Sequence, residues 1–393
     1  MPEQLNWLVD SVLDPIKTRI LKMPWIYRAA ILLALLSLFA LFEYRDQIPA
    51  KVGLASQTLR VSWGPRNRVP LSGADIGLLK ASIARLTSQL DPRLTNLNPS
   101  IAEAWTVAQV LVAVHGVGKT DLAPAVHYIE SQEDRTCSCW GQISDVKIHP
   151  HLAVTAWVLI AFAKLKPRAP NSEVQFFLDN QFRDGSWPIF EGATLEEAST
   201  YATSLVVLAL YEQLNAGLVA KELESKVRAS MERGRAWLMS HHRDDLPARW
   251  TDYPLAVHNP LPRLNSLGLS GQVLHVLHRT DQAGLADIER AWIRSLPKAL
   301  PKSTDQDASN RFIENAKGSQ FVDSSRYFVL PWSIVATVDA YPSGTTTERA
   351  RALDWLERSV AALEQAEHLA LQSGDYNAAE LLIALKYLAK DTP

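Results

Sequence analysis

Five residues able to take or give protons fall in short polar stretches between long apolar ones: His149, Glu197, Asp252, His258 and Asp323. Imidazoles and carboxylates can work as general acids and bases near neutral pH, so these five are the candidate catalytic groups. Tyr201, Tyr253, Arg326 and Tyr327 stand beside them in the chain and are the candidate ligand-binding groups. Each has a plainer reading as a solvated loop residue or a helix cap, and that reading fits Glu196 and Asp323 at helix starts.

A second constellation is of metal type. Cys137-x-Cys139 followed by His149-x-His151 offers two thiolates and two imidazoles, a set suited to tetrahedral zinc, the one cofactor the sequence suggests. The competing reading is a pair of unbound thiols with surface histidines. These are the only cysteines, and lying one residue apart they cannot staple distant parts of a fold. Ala113 to Thr120 (AVHGVGKT) formally fits a relaxed phosphate-loop string. Such a loop needs a strand before it, whereas an apolar helix precedes this one, so Gly116 and Gly118 read as helix C-terminal glycines.

The candidates must be positioned by a large core. The chain has 393 residues, 47% of them apolar, which is ample for a globular domain. With 40 basic and 42 acidic residues and no basic face, no nucleic-acid partner is implied. Near the N-terminus, AAILLALLSLFALF (29–42) is apolar apart from Ser37, and Trp25, Tyr27 and Tyr44 flank it. From 25 to 44 it reaches the roughly 20 residues that span a bilayer, and no small-x-small cleavage site follows. It reads as a single uncleaved transmembrane anchor. Lys17, Arg19, Lys22 and Arg28 precede it, so the positive-inside bias places the N-terminus in the cytoplasm and the large domain on the exocytoplasmic side. Residues 1–24 hold a possible amphipathic, juxtamembrane helix, with membrane lipid as the implied partner, and 45–70 form a linker.

Within 71–393, six segments are apolar nearly all round: 101–115, 151–165, 200–214, 267–279, 328–341 and 377–390. Helices of that kind are buried, so these are inner helices. Six amphipathic stretches alternate with them, at 73–90, 122–132, 172–181, 221–241, 283–296 and 346–367. No such pair buries its own apolar face. Six pairs satisfy one another by closing into an all-α (α/α)6 toroid, with an open superhelix as the alternative.

One segment carries a sharper mark: Phe177, Gln181, Gly185 and Trp187 (FFLDNQFRDGSW) give Phe-x3-Gln-x3-Gly-x-Trp, followed by the inner helix TYATSLVVLALYEQL. Two degenerate copies surround it. Tyr128-x3-Gln132 leads to Ser138-Cys139-Trp140, and Trp237 leads to Arg249-Trp250 without the Gln or Gly. The element resembles the QW repeat of the terpenoid cyclase and protein prenyltransferase toroid superfamily, over roughly residues 70 to 390. There the element is structural, which makes Gln181 and Trp187 stability residues.

The family's chemistry carries over less well. The Asp-x-Asp-Asp acid motif of class II terpene cyclases has only Asp305-Gln306-Asp307-Ala308 as its nearest match, in a long polar loop, and the prenyltransferases' Asp-x-Cys zinc pair does not occur. The resemblance therefore implies a cavity that binds an apolar ligand of isoprenoid or lipid kind with an anionic end, in a protein without a recognisable catalytic motif. Two alternatives stay open: an active cyclase or prenyltransferase-like enzyme with atypical acids, and a carbohydrate-active toroid using Glu196 or Glu197 with Asp252. Parallel inner helices would gather six N-termini on one face, where dipoles favour anions, so that face is the expected mouth.

Overall fold

The computed structural model describes residues 69–95, 103–117, 121–141, 151–243, 249–255, 265–302, 305–314, 320–373 and 375–391. The expected anchor at 25–44 and the segment before it lie outside the described residues, as does the linker up to residue 68. Among the described residues no helix is long and apolar enough to cross a membrane.

Twelve α-helices of two alternating kinds follow one another among the described residues. α2 (Ala104–Val114), α4 (Leu152–Leu165), α6 (Thr200–Ala216), α8 (Leu267–Arg279), α10 (Val329–Ala340) and α12 (Asp375–Asp391) are the apolar ones. α10 buries every residue it has, and α4 buries everything from Leu152 to Ala163. The others are α1 (Gly73–Thr95), α3 (Ala123–Ser131), α5 (Asn171–Asp179), α7 (Lys221–Ser240), α9 (Ala286–Ser295) and α11 (Thr346–Ser373). α7 shows their character: it buries only the stripe Val227, Ser230, Met231, Gly234, Trp237 and Leu238.

The apolar helices form the inner layer. α2 packs on α4, α4 on α6, α6 on α8, α8 on α10, α10 on α12, and α12 on α2. Side chains meet at one level: Gln109 Nε2 donates to Glu380 Oε1 (3.2 Å), Trp332 Nε1 to Glu380 Oε2 (3.1 Å) and Gln272 Nε2 to Ser204 Oγ (2.9 Å). All of these residues stand between the fourth and sixth position of their helices, so α2, α10 and α12 meet one another at matched levels, as do α6 and α8. At Gly271 a Cβ would lie 2.7 Å from the Trp332 carbonyl oxygen, so glycine lets α8 and α10 approach backbone to backbone.

A repeated polar joint turns three outer helices, α3, α5 and α7, into the next inner one. The Trp140, Trp187 and Trp250 side chains are fully buried, and their indole N–H groups donate at 2.8 Å to the carbonyls of Ile129, Phe177 and Leu238, at the C-terminal ends of α3, α5 and α7. Their backbone N–H groups donate to Thr155 Oγ1, Thr203 Oγ1 and Ser270 Oγ, each in the first turn of the following inner helix. The residue before that helix then caps it. His151 Nδ1, Ser199 Oγ and Ser266 Oγ accept from the N–H groups of Val154, Ala202 and Leu269. Carbonyls and N–H groups that helix ends leave over are thus satisfied in a buried setting.

Gln181 supplies the lateral half of the joint. Its amide donates to the carbonyls of Gly185 (2.9 Å) and Ser230 (2.8 Å) and accepts from Ser230 Oγ (2.8 Å) and Arg233, tying the turn after α5 to α7. Gly185 has φ +99°, and a Cβ there would sit 2.5 Å from the Arg233 carbonyl oxygen. In the degenerate unit, Trp250 rather than Trp237 fills the joint. Trp237 Nε1 instead donates to Asp184 (2.9 Å) in the preceding turn.

The stretch expected to be a polar loop before the fifth inner helix contains an antiparallel hairpin. β3 (Gln306–Glu314) pairs with β4 (Gln320–Phe328) in register from Gln306↔Phe328 to Glu314↔Gln320, and both strands touch α8. A shorter pair, β1 (Trp250–Thr251) with β2 (Asn265–Ser266), closes the joint before α8. α2 ends in Gly116 at φ +74°, as the glycine reading of the phosphate-loop string requires.

Replacing Gly185 with Ala forces both a left-handed φ and a backbone clash. The expected loss is at least about 1 kcal/mol in urea unfolding, whereas Gly192→Ala, whose Cβ would meet nothing within 4 Å, loses less.

Candidate functional site

Among the loop residues proposed from the sequence, Glu197 and Asp252 are engaged in local hydrogen bonds. Glu197 closes a capping box with Thr194 on the 3-10 turn Leu195–Glu197. Asp252 is buried, accepting from Ser199 Oγ (2.8 Å) and from the N–H groups of Tyr201 (3.3 Å) and Tyr253 (3.1 Å), so it ties the loop after Trp250 to the start of α6. Tyr201 Oη accepts from Trp157 Nε1 (3.3 Å), and Tyr253 is a buried residue at φ +49°. Asp323, Arg326 and Tyr327 lie in β4 opposite Arg311, Ala308 and Asp307. His149 and His258 are outside the described residues.

The zinc constellation is corrected. Cys137 and Cys139 are joined to each other as a disulfide, so neither offers a thiolate and neither is an unbound thiol. Ring nitrogen Nδ1 of His151 is occupied in capping α4, and burial pushes this imidazole down to about 3, which keeps it neutral. It is a core residue, packed edge-on against Phe190 with centroids 4.7 Å apart.

A cavity of about 230 Å³ lies instead among the inner helices. Val112, Ile160, Leu208 and Ile383 give it apolar walls, and the rings of Trp157 and Trp332, 6.5 Å apart, lie lower along their helices. Its polar members are Lys164, Glu212, His275, Arg279, Lys386, Tyr387 and Lys390. Lys164, Arg279 and Lys390 belong to the last turns of α4, α8 and α12, so the polar rim sits where the inner helices end. This rim lies at the end opposite the N-termini; at the N-terminal ends of α4, α6 and α8, the described residues are buried indoles and the caps His151, Ser199 and Ser266.

Cations outnumber carboxylates around this rim. Helix C-termini attract them, and Lys386 Nζ donates to the carbonyls of Ala113 (2.9 Å) and His115 where α2 ends. Capping does not remove the crowding. Burial, together with Lys164, pushes the Lys386 ammonium down to about 8, so an anion at the rim would stabilise it. Arg279 is engaged by Glu212 Oε1 (3.3 Å) and lies over the Tyr211 ring.

Behind the wall runs a buried polar network. Asp339 on α10 accepts from His275 Nδ1 (2.8 Å) and from Tyr387 Oη, and lies 3.7 Å from His278 Nε2. Burial works against its charge, but the two imidazoles and these hydrogen bonds outweigh it and hold the carboxyl below its usual range. His278 Nδ1 meets Glu289 Oε1 at 2.7 Å. Burial opposes its cationic form too, and Asp339 with Glu289 overrides this, raising it to about 9. Glu380 is the converse case. Fully buried with only Trp332 and Gln109 as donors, it is pushed up to about 8 and stays protonated at neutral pH.

None of these interior groups was among the candidates from the sequence. The signal was present, since His275, His278, Asp339, Glu380 and Lys386 each interrupt an otherwise apolar inner segment.

No protein-family model and no curated protein matches the chain. Solved structures do. Two structures of the type II terpene cyclase MstE from Scytonema, both in complex with its substrate geranylgeranyl dihydroxybenzoate, superpose with a TM-score of 0.50 at 10% identity. They cover 81% and 82% of this chain and 99% and 100% of theirs. At that identity the likeness establishes a terpene-cyclase-like fold and nothing of activity.

The buried Glu380 and the half-buried His278 give stability a defined pH dependence. Glu380 keeps its proton when folded and loses it on unfolding, so stability falls as pH rises from about 4.5 to about 8, by about 1.4 kcal/mol per unit for this one group. The His278 contribution is full below about 6.5 and is lost as pH rises through about 9. Urea unfolding across this range is expected to show the decline, and Glu380→Gln to flatten it between about pH 5 and 8; an unchanged slope in the variant would count against a protonated Glu380.

Proposed function

We propose that the inner helices close an (α/α)6 toroid whose central cavity binds an amphipathic ligand, its isoprenoid or lipid tail between the inner helices and its anionic head at the rim of helix C-termini. One observation carries this reading: apolar and aromatic walls lead to a one-sided cluster of Lys164, Lys386, Lys390 and Arg279. The volume, about 230 Å³, is just under the roughly 300–1,000 Å³ of drug-sized sites, which suits a short prenyl or acyl chain. The structural neighbours bind a prenylated substrate with an acidic head, and that supports the same class of ligand here.

Membrane attachment through 25–44 belongs to the same reading. Lipid-borne ligands would be delivered from the bilayer, and an exocytoplasmic domain agrees with the Cys137–Cys139 disulfide, a bond of oxidising compartments.

A second reading, an active cyclase with an atypical acid, is favoured by Glu380, a carboxyl group that stays protonated inside an apolar barrel and touches the cavity-lining Trp332. Product analysis after incubation with geranylgeranyl dihydroxybenzoate tests it. Cyclised product from the wild type that disappears in Glu380→Gln supports it, and product that persists removes Glu380 from the chemistry.

For the binding reading, Trp157 and Trp332 are built-in reporters. Geranyl phosphate is expected to quench tryptophan fluorescence and to bind more tightly than geraniol. Lys164→Ala is expected to weaken the phosphate ester roughly three- to tenfold while leaving geraniol unchanged. Equal affinity for the two would remove the anionic head from the reading.

A further inference from the structure

His275 is the one imidazole in the cavity wall, and its two nitrogens are treated differently. Nδ1 is turned to Asp339, which lies outside the cavity lining, and Nε2 makes no hydrogen bond among the described residues. Because Asp339 is a carboxylate, Nδ1 is the donor. With Nδ1 donating, the lone pair of the uncharged ring lies on Nε2, and His275 lines the cavity. Asp339 is fixed in turn by Tyr387 and His278, and His278 by Glu289 on α9, so the imidazole is oriented by a chain of buried groups reaching through the wall. Such an arrangement fixes tautomer and ring direction and stabilises the imidazolium once a proton arrives.

The surroundings narrow what would give that proton. Trp332 and Tyr387 place their rings 6.1 and 5.1 Å from His275, one turn below Arg279 at the rim, a lining suited to a flat aromatic head. Lys386 and Lys164 at the rim favour a head that becomes negative, while Arg279, one turn beyond His275, is already engaged by Glu212.

We propose that the Asp339–His275 pair is a proton acceptor set in the cavity wall and that the ligand it serves carries a phenolic hydroxyl on its head. The phenol O–H bond breaks, its electron pair stays on the oxygen, and the proton forms an N–H bond at Nε2 of His275. The phenolate then faces the rim lysines, and the imidazolium faces Asp339. The inference rests on the cavity being a ligand site, and its test separates the two.

The probe is p-nitrophenol bearing a butyl chain ortho to the hydroxyl, with its methyl ether as control, added to the full chain in detergent. Tryptophan quenching reports binding, and nitrophenolate absorbance reports ionisation. Both compounds are expected to bind, and the bound phenol to ionise about one pH unit below the free one, a roughly tenfold change in the ionised ratio. His275→Gln is expected to keep the quenching and lose the shift. If neither compound quenches, the cavity is not a ligand site and both readings fall. If both bind without a shift, or the variant keeps it, only the proton-acceptor proposal is overturned. Should His275→Gln not fold, side-chain nitrogen NMR of the wild type decides: phenol binding must turn one imidazole into imidazolium, and an ionised phenol without that change overturns the proposal.

Discussion

The passage from α3, α5 and α7 to the inner helices that follow them depends on a hydrogen bond between an indole and a carbonyl in the last turn of a helix. Trp140, Trp187 and Trp250 each take that bond with the side chain and spend the backbone N–H on a hydroxyl of the next inner helix. One residue thus bonds both to the end of an outer helix and to the first turn of the inner helix that follows. The joint is buried, and it recurs before α4, α6 and α8.

The joint also divides labour between the two ends of the inner layer. At the N-terminal side, polar side chains serve as caps, and Asp252 and Glu197 belong there despite their acid–base chemistry. At the C-terminal side the last turns of α4, α8 and α12 carry lysine or arginine, and these residues line the cavity. Dipole arguments alone favour anions at the N-termini. Here the dipoles at the other end recruit fixed cations, and those cations present the positive charge.

Much of the architecture was legible because burial on all sides leaves a plain mark. The run 151–165 appears as α4 from Leu152 to Leu165, 267–279 as α8 over the same residues, and the stripe of 221–241 as α7. The hairpin 306–328 was not legible, since its Ser, Asn and Lys content reads as loop and its strands pair chiefly with each other. The cavity-lining polar groups were missed for a different reason. Attention goes to polar residues in polar stretches, where most are caps. A histidine, aspartate or glutamate within an apolar helix has nowhere to go but the interior, and His275, Asp339 and Glu380 are of that kind. The disulfide between Cys137 and Cys139 needs their relative orientation, which spacing alone does not supply.

Gly271 has a reach beyond its own contact. By letting α8 meet α10 without an intervening side chain, it sets a close seam between two inner helices, and the same seam brings His275 to Asp339. The spacing of α8 from α10 and the alignment of His275 with Asp339 are therefore a single geometric variable. A lineage or a designer seeking a wider chamber at this seam would have to give up the paired imidazole, whereas widening at any seam made of flexible side chains would leave it intact.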